Sequence, residues 1–565
     1  MEQQLSRSKA LWCVVLISIL FSFPWLDRAF YTRGEPREAL VAQAMVDTGQ
    51  WLLPPSYNAE VPARPPLSYW LSAIVSLPFG NVSEATARLP SAIAFVVFTA
   101  MFQLFLAARV SLATALLSSL LLLCSPEWFR AATTCRVDTI LSMSFAGALL
   151  ALFVWEERGR RGAPLVAIFL LTCAVLTKGP VGIVLPFIIF AVYCLTKYGW
   201  SRKALAKLAL DELLISIPVI TVVSLWYIAA YLQWGEEFIT KVRYENFERF
   251  TSSMHDEPHK HSVFYLFGAL MLGFLPWSLA WAVAGVRGWD RTLLSVSGLR
   301  DRWSKARDRW SKASELVRFS LIAVLSIILF FCIPSSKRGI YLLPAYPFIA
   351  FLAASSVQAW LPKSERLLRW LYVTMSVLTA LILLGIAFIL LVPLSSDTIR
   401  FTGSLQETLA PLKIGIIIFS VGALLWMLRG VRSVAGGMAI SRLAASIITI
   451  VVVACLLLVD PGTYQISPKA WLTSTQFLEA VRPTQRERFY SFGSEAYSAS
   501  FYLRKPFFMA DKSLPAGSVV FIEAKNLDKF KQEIGVPFRE LSRYSAGLEY
   551  LLKKDLVVVE TGTLK

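Results

Sequence analysis

Residues Val377 to Leu391 read VLTALILLGIAFILL, fifteen positions without a charge. Such a run has no place on the surface of a water-soluble fold, and comparable runs recur along the whole chain. About thirteen stretches are long enough to cross ~30 Å of hydrocarbon. They begin near Ala10, Leu89, Leu112, Thr139, Pro164, Val181, Leu213, Val263, Phe319, Ile340, Leu368, Leu412 and Leu443. The chain is 56% hydrophobic and only 17% charged over 565 residues, with a mean hydropathy of +0.57. A soluble protein of this length, roughly three or four domains, could not hide that much apolar surface. The expected fold class is therefore an α-helical polytopic membrane protein, with about thirteen transmembrane helices and further juxtamembrane ones.

The first apolar run follows a basic lead, as in a signal peptide, but ends in Phe23-Pro24-Trp25 with no small-x-small cleavage site. An uncleaved first span is expected. Lysines and arginines then set the orientation. With the N-terminus in the cytoplasm, the inner loops include EERGRRGA, TKYGWSRKALAKLA, the segment from Arg287 to Arg318, LPKSERLLR and RGVRS, all densely basic. An odd number of spans places the C-terminus on the opposite face. This placement accounts for the net charge of +18, and no nucleic-acid partner is expected. The seven cysteines form no C-x-x-C pair or disulfide framework and read as small buried hydrophobes.

One inner loop carries a direct duplication, RDRWSKA at 300–306 and 307–313. The seven-residue period brings Trp303 and Trp310 near one helix face among cations, which suits an interfacial helix on anionic membrane lipid. A tolerated duplication in a solvent loop accounts for it equally. From about Pro461 the composition changes. RFYSF, SASFYL, GSVVFIEAK and DLVVVETG read as strands and LDKFKQEIG as a helix, giving a small α/β domain over 461–565 behind a membrane domain over 1–460.

The outer loops, 27–87 and 233–262, hold the chemistry. YTRGEPREALVAQAMVDTGQW (31–51) predicts a helix opened by Pro36 and closed by Gly49, with Leu40, Val41, Ala44, Met45 and Thr48 on one face against the membrane surface. Its start presents Glu35, Arg37 and Glu38, and Arg64 follows in PARPPLSYWL. Arginine forks bind phosphate oxygens, and a carboxylate takes a proton from an incoming nucleophile. A solvated ion pair is the plainer account of any one of these charges. Further charges lie at the same ends of the spans: Arg130, Arg136 and Asp138, Lys178 in LTKGPVG, and Lys337 and Arg338 in PSSKRGIYLLPAYP, with Tyr341 a turn later. Charges so near a membrane core point to a functional cavity by default. Their convergence on one side predicts a shared anion site in preference to separate snorkelling side chains. His255, His259 and His261 cluster with Asp256 and Glu257, ligands that suit a divalent metal. A polar loop is the plainer reading, because no second group of ligands is evident.

In these residues the sequence resembles the bacterial aminoarabinose transferase family that modifies lipid A and, more distantly, the protein O-mannosyltransferases. Both are membrane glycosyltransferases of the GT-C class. The likeness runs in order from about residue 20 to 360, through GEPREALVAQAMVDTGQWLLP, ARPPLSYWL, RLPSAIAF, RVDTILSM, LTKGPVGIVLP, LGFLPWSL and SKRGIYLLPAYP. The resemblance implies a multi-span bundle in the bacterial inner membrane with a periplasmic C-terminal domain. It implies a polyprenyl-phosphate-linked sugar as donor and inverting transfer to an envelope acceptor such as lipid A, another glycan, a lipid or a protein. Arg37 falls on the family's phosphate-contacting arginine and Arg64 on a lysine. With them, Lys178, Lys337, Arg338 and Tyr341 form the expected donor-phosphate set, and Arg136 and Asp138 the cavity wall.

Two positions depart from the pattern. The family's catalytic aspartate is Gly34 here, leaving Glu35 as the expected base and Glu38 in reserve. The glutamate ahead of Arg64, which the family associates with a divalent metal together with a loop histidine, is Ala63; His259 lies near that histidine's place. Two other classes compete: a flippase for lipid-linked sugars, which would also need a cationic cavity but for which no internal repeat is visible, and a non-catalytic envelope assembly factor.

Overall fold

A computed structural model describes residues 6–54, 64–244, 261–278, 308–360 and 469–562, apart from 31, 33, 276, 309, 335, 483–487, 494–495 and 545–555 within them, and also residues 373 and 377. The first helix, α1 (Arg7–Ser22), is capped by Ser6, whose side chain accepts from the Lys9 amide. Next come α2 (Gly34–Thr48) and α3 (Leu67–Ser76), then α4 (Glu84–Ala107), which opens with a reciprocal capping box between Ser83 and Thr86. α5 (Leu112–Leu123) and α6 (Pro126–Ala132) follow, bent 70° against each other where Pro126 starts a new helix. α7 (Val137–Glu157), α8 (Leu165–Lys178) and α9 (Val181–Tyr198) complete the centre of the bundle, with α7 the most enclosed span. α10 (Arg202–Arg243) is interrupted at Gly235, whose φ of 57° and ψ of −138° leave the helical region. Beyond it lie α11 (Val263–Gly273), α12 (Glu315–Cys332), a 3₁₀ segment over Gly339–Ala345 and α13 (Tyr346–Trp360).

This is a multi-pass membrane protein. Among the described residues seven helices are long and apolar enough to cross a membrane, or eight if the bent α5–α6 pair counts as one. The runs expected from Pro164 and Val263 form shorter apolar helices, α8 and α11. Those expected from Leu368, Leu412 and Leu443, most of the duplicated RDRWSKA loop and the boundary at 460/461 lie outside the described residues.

The helix expected along the membrane surface is present, but its setting differs. Every residue from Ala39 to Met45 in α2 is buried. α3 and the start of α4 cover one side, and a C-terminal helix covers another. Of the expected face, Leu40, Val41, Ala44 and Met45 are buried and Thr48 is exposed; the periodicity could not reveal that the helix is also covered by residues more than 400 positions away.

In the C-terminal domain, β1 (Phe489–Phe492), β2 (Phe507–Met509), β3 (Val519–Glu523), β4 (Phe538–Tyr544) and β5 (Leu556–Thr561) form one sheet in the order β2-β1-β3-β5-β4. β1 runs parallel to β2 and β3, while β5 is antiparallel to β3 and β4. Three of the four expected strands are present. SASFYL is instead part of a helix, α14 (Tyr497–Leu503), closed by Arg504 in the left-handed region. Parallel pairing of β1 with β2 requires a crossover between them, and Tyr497 and Phe501 stand at the i, i+4 spacing of one helix face. The expected helix at LDKFKQEIG is Leu527–Ile534.

Candidate active site

The first two turns of α2 send two acids in different directions. Glu35 is fully buried and pairs with Arg88 of α4, Nε to Oε1 at 2.7 Å. The same oxygen accepts from the Cys135 amide at 3.2 Å, and Oε2 accepts from the Thr32 amide and hydroxyl at 3.3 and 3.2 Å. Arg88 in turn donates to the carbonyls of Leu26, Arg28 and Ala29. Glu35 and Arg88 thus form a strut that ties the entry to α2 onto the bundle. Glu35, the expected base, does not line the cavity described next.

Glu38, one turn on, does line it. Its Oε1 accepts from Arg37 and from Arg64, each at 2.6 Å, while Oε2 bonds neither guanidinium; the Tyr69 hydroxyl also lies beside this carboxylate. Burial alone would push this carboxyl up, but the two guanidiniums outweigh it and hold Glu38 at about 2. On the facing wall Asp138, in the first turn of α7, pairs with Lys178 and, at 3.4 Å, with Arg136. Lys178 Nζ also sits 4.6 Å from the centre of the Tyr341 ring. Lys178 is delivered by the α8–α9 turn. There Gly179 adopts φ 85° and ψ −153°, open in practice only to glycine, and Gly182 lets α9 lie directly on the α8 backbone.

These groups enclose a cavity of about 400 Å³. Five cations, Arg37, Arg64, Arg136, Lys178 and Arg338, face two carboxylates, Glu38 and Asp138, leaving an excess of three positive charges among the lining residues. The lining also includes the apolar side chains of Phe145, Val184, Phe330 and Phe331. Val184, on α9, is 46% exposed. A second cavity of about 470 Å³, lined by Glu127, Arg130, Tyr265 and Gly273, shares Arg136 and Arg338 with the first.

The structure therefore brings together Arg37, Glu38, Arg64, Arg136, Asp138, Lys178, Arg338 and Tyr341. Lys337 is buried behind the lining and does not reach it, its Nζ donating to the carbonyl of Pro334, which does. His259 lies outside the described residues. Among those described, no three histidine, cysteine or carboxylate side chains converge, and Ala63 offers no ligand atom ahead of Arg64. The described side chains do not compose a metal site. Sequence reading missed Arg88 and Tyr69. An arginine inside the apolar segment RLPSAIAF was the available signal for Arg88; Tyr69 offered none among the many aromatics.

The family model for dolichyl-phosphate-mannose-protein mannosyltransferases matches residues 63–226. The undecaprenyl phosphate-alpha-4-amino-4-deoxy-L-arabinose arabinosyl transferase of Aeromonas hydrophila is 24% identical over 390 residues, 67% of this chain and 66% of that one. The protein of the same name from Pectobacterium atrosepticum is 24% identical over 411 residues, 70% and 67% of the two chains. The aligned stretch thus spans about two thirds of the length of these relatives. In structure, ArnT from Cupriavidus metallidurans bound to undecaprenyl phosphate superposes with a TM-score of 0.70 at 20% identity, covering 98% of this chain and 99% of that one. At that identity the likeness bears on the fold. The resemblance to membrane glycosyltransferases drawn from the sequence motifs is found again in all three comparisons.

Proposed function

We propose that this chain is a glycosyltransferase that moves a sugar from a polyprenyl phosphate to an envelope acceptor at the outer face of the bacterial inner membrane. The observation that carries the reading is the mixed lining of the cavity, where five cations stand beside a set of apolar side chains. A polyprenyl phosphate needs both: guanidiniums for its phosphate oxygens and a greasy exit for its chain. The N-terminus then lies in the cytoplasm and the C-terminal domain in the periplasm, as the basic loops imply. The names of the matched relatives point to the same donor chemistry.

In the reaction a nucleophilic atom of the acceptor forms a bond to the anomeric carbon as the bond from that carbon to the phosphate oxygen breaks. Approach from the face opposite the phosphate inverts the centre. The departing electron pair stays on the polyprenyl phosphate, where Arg37, Arg64 and Lys178 stabilise the growing charge. The acceptor's proton passes to Glu38, the carboxylate on α2 that faces the cavity. Clamped by Arg37 and Arg64, Glu38 is a weak base. A donor phosphate competes for those same two guanidiniums, and as they turn to it the pKa of Glu38 rises toward a useful range. Donor binding thereby arms the base. The second cavity, in contact through Arg136 and Arg338, is the approach for the acceptor.

The test is transfer from undecaprenyl-phosphate-linked sugar in membranes, comparing wild type with Glu38→Gln. Loss of about 10²-fold or more in kcat, with the protein level unchanged, is expected for removal of the proton acceptor. Wild-type protein that moves the donor across the bilayer without consuming it would make the chain a flippase, and inertness toward every donor would leave the assembly role.

A further inference from the structure

The described part of the C-terminal domain contributes no residue to the cavity, yet it touches the segment that launches α2. The Tyr502 hydroxyl, on α14, accepts from the Phe30 amide at 3.0 Å. Phe30 packs edge-on against Phe501 with ring centres 4.9 Å apart, and the Arg88 guanidinium lies over the Phe30 ring, 5.0 Å from its centre. Arg88 holds Glu35 and the carbonyls of residues 26, 28 and 29. Arg37 and Glu38 follow Glu35 within one turn. A second contact fixes the same join, with Lys469 Nζ 2.6 Å from Glu84 at the start of α4. A continuous path of bonded and packed groups therefore runs from the sheet domain to the cavity wall.

We propose that Tyr502 is a positioning residue for the transfer reaction: the outer domain, through Tyr502 and Phe30, holds the entry to α2 so that Glu38 and Arg37 stand at the cavity wall. This rests on the glycosyltransferase reading above for its catalytic half. The Phe30 amide belongs to the segment that leads into the buried Glu35–Arg88 pair, and without an acceptor it becomes an unsatisfied donor. The segment then gains other conformations, and the first residues of α2 follow it. Packing of the domain on α2 alone, through Tyr497 and Phe501, would not require the hydroxyl.

The variant to make is Tyr502→Phe, which keeps the ring and removes one oxygen, in the full-length protein. Amide hydrogen exchange over residues 28–40 is expected to speed up while α7 (137–157) is unchanged. In the transfer assay kcat is expected to fall about five-fold, with KM for undecaprenyl-phosphate-linked sugar within about two-fold of wild type. Unchanged exchange overturns the proposal whatever the activity, because the contact then holds nothing. Faster exchange with wild-type kcat overturns the positioning role and leaves a structural contact. Should Tyr502→Phe fail to accumulate, Lys469→Gln weakens the same join and is read in the same two assays. If the wild-type protein shows no transfer, it is the glycosyltransferase reading that fails, and exchange still decides whether the domain holds α2.

Discussion

Glu35 and Glu38 stand three residues apart on one helix and have opposite fates. Glu35 shares a dry environment with Arg88, so Glu35→Gln leaves a buried arginine uncompensated and is expected to cost about 3 kcal/mol of stability. A thermal midpoint in detergent reads this, and the double variant with Arg88→Met should lose less than the two single changes combined. Glu38 answers to acid. Its carboxyl lies at about 2 against an ordinary 4.5, a lowered value, so its stabilisation is full above the higher figure and disappears as pH falls toward the lower one. Thermal midpoints followed from about pH 6 to about pH 3 should fall less steeply in Glu38→Gln than in wild type. The cavity cations were legible in the sequence because each charge abuts an apolar run, where only function or snorkelling retains it. Which of two neighbouring acids faces the cavity was not legible. That choice is made by Arg88, some fifty residues further on, and no local pattern encodes it.

At the scale of elements, glycines decide how closely helices approach. A Cβ on Gly182 would meet the Ala174 backbone at 2.6 Å, so Gly182→Ala has to push α9 off α8 and shift the turn that carries Lys178. We expect a loss of about 1–3 kcal/mol, measured as a lower thermal midpoint and accompanied by weaker donor binding. Long apolar helices were readable, as were the strands at RFYSF, GSVVFIEAK and DLVVVETG. Two elements escaped. α14 carries aromatic residues that score as strand in isolation, yet the topology of a parallel pair demands a crossover there. The run from Leu112 looks like one span, but Pro126 divides it and turns α6 through 70°. α6 thereby carries Glu127 and Arg130 to the second cavity.

For the whole molecule, the cavity's surplus of cations has an aftermath. In the proposed reaction the donor enters as a phosphodiester with a single negative charge. It leaves as a phosphomonoester carrying about −1.5 to −2 near neutral pH. The spent carrier is therefore the better ligand for five cations facing two carboxylates, and it competes for the same wall as fresh donor. Discharge should limit the cycle. A rapid first turnover followed by a slower steady state is expected, and added undecaprenyl phosphate should inhibit competitively against the donor. Weakening the wall, as in Arg338→Gln, should shrink the burst and raise the inhibition constant. Continuous work by such a protein then depends on whatever removes the used lipid from its vicinity, which ties its throughput to the rate at which the membrane recycles its carrier.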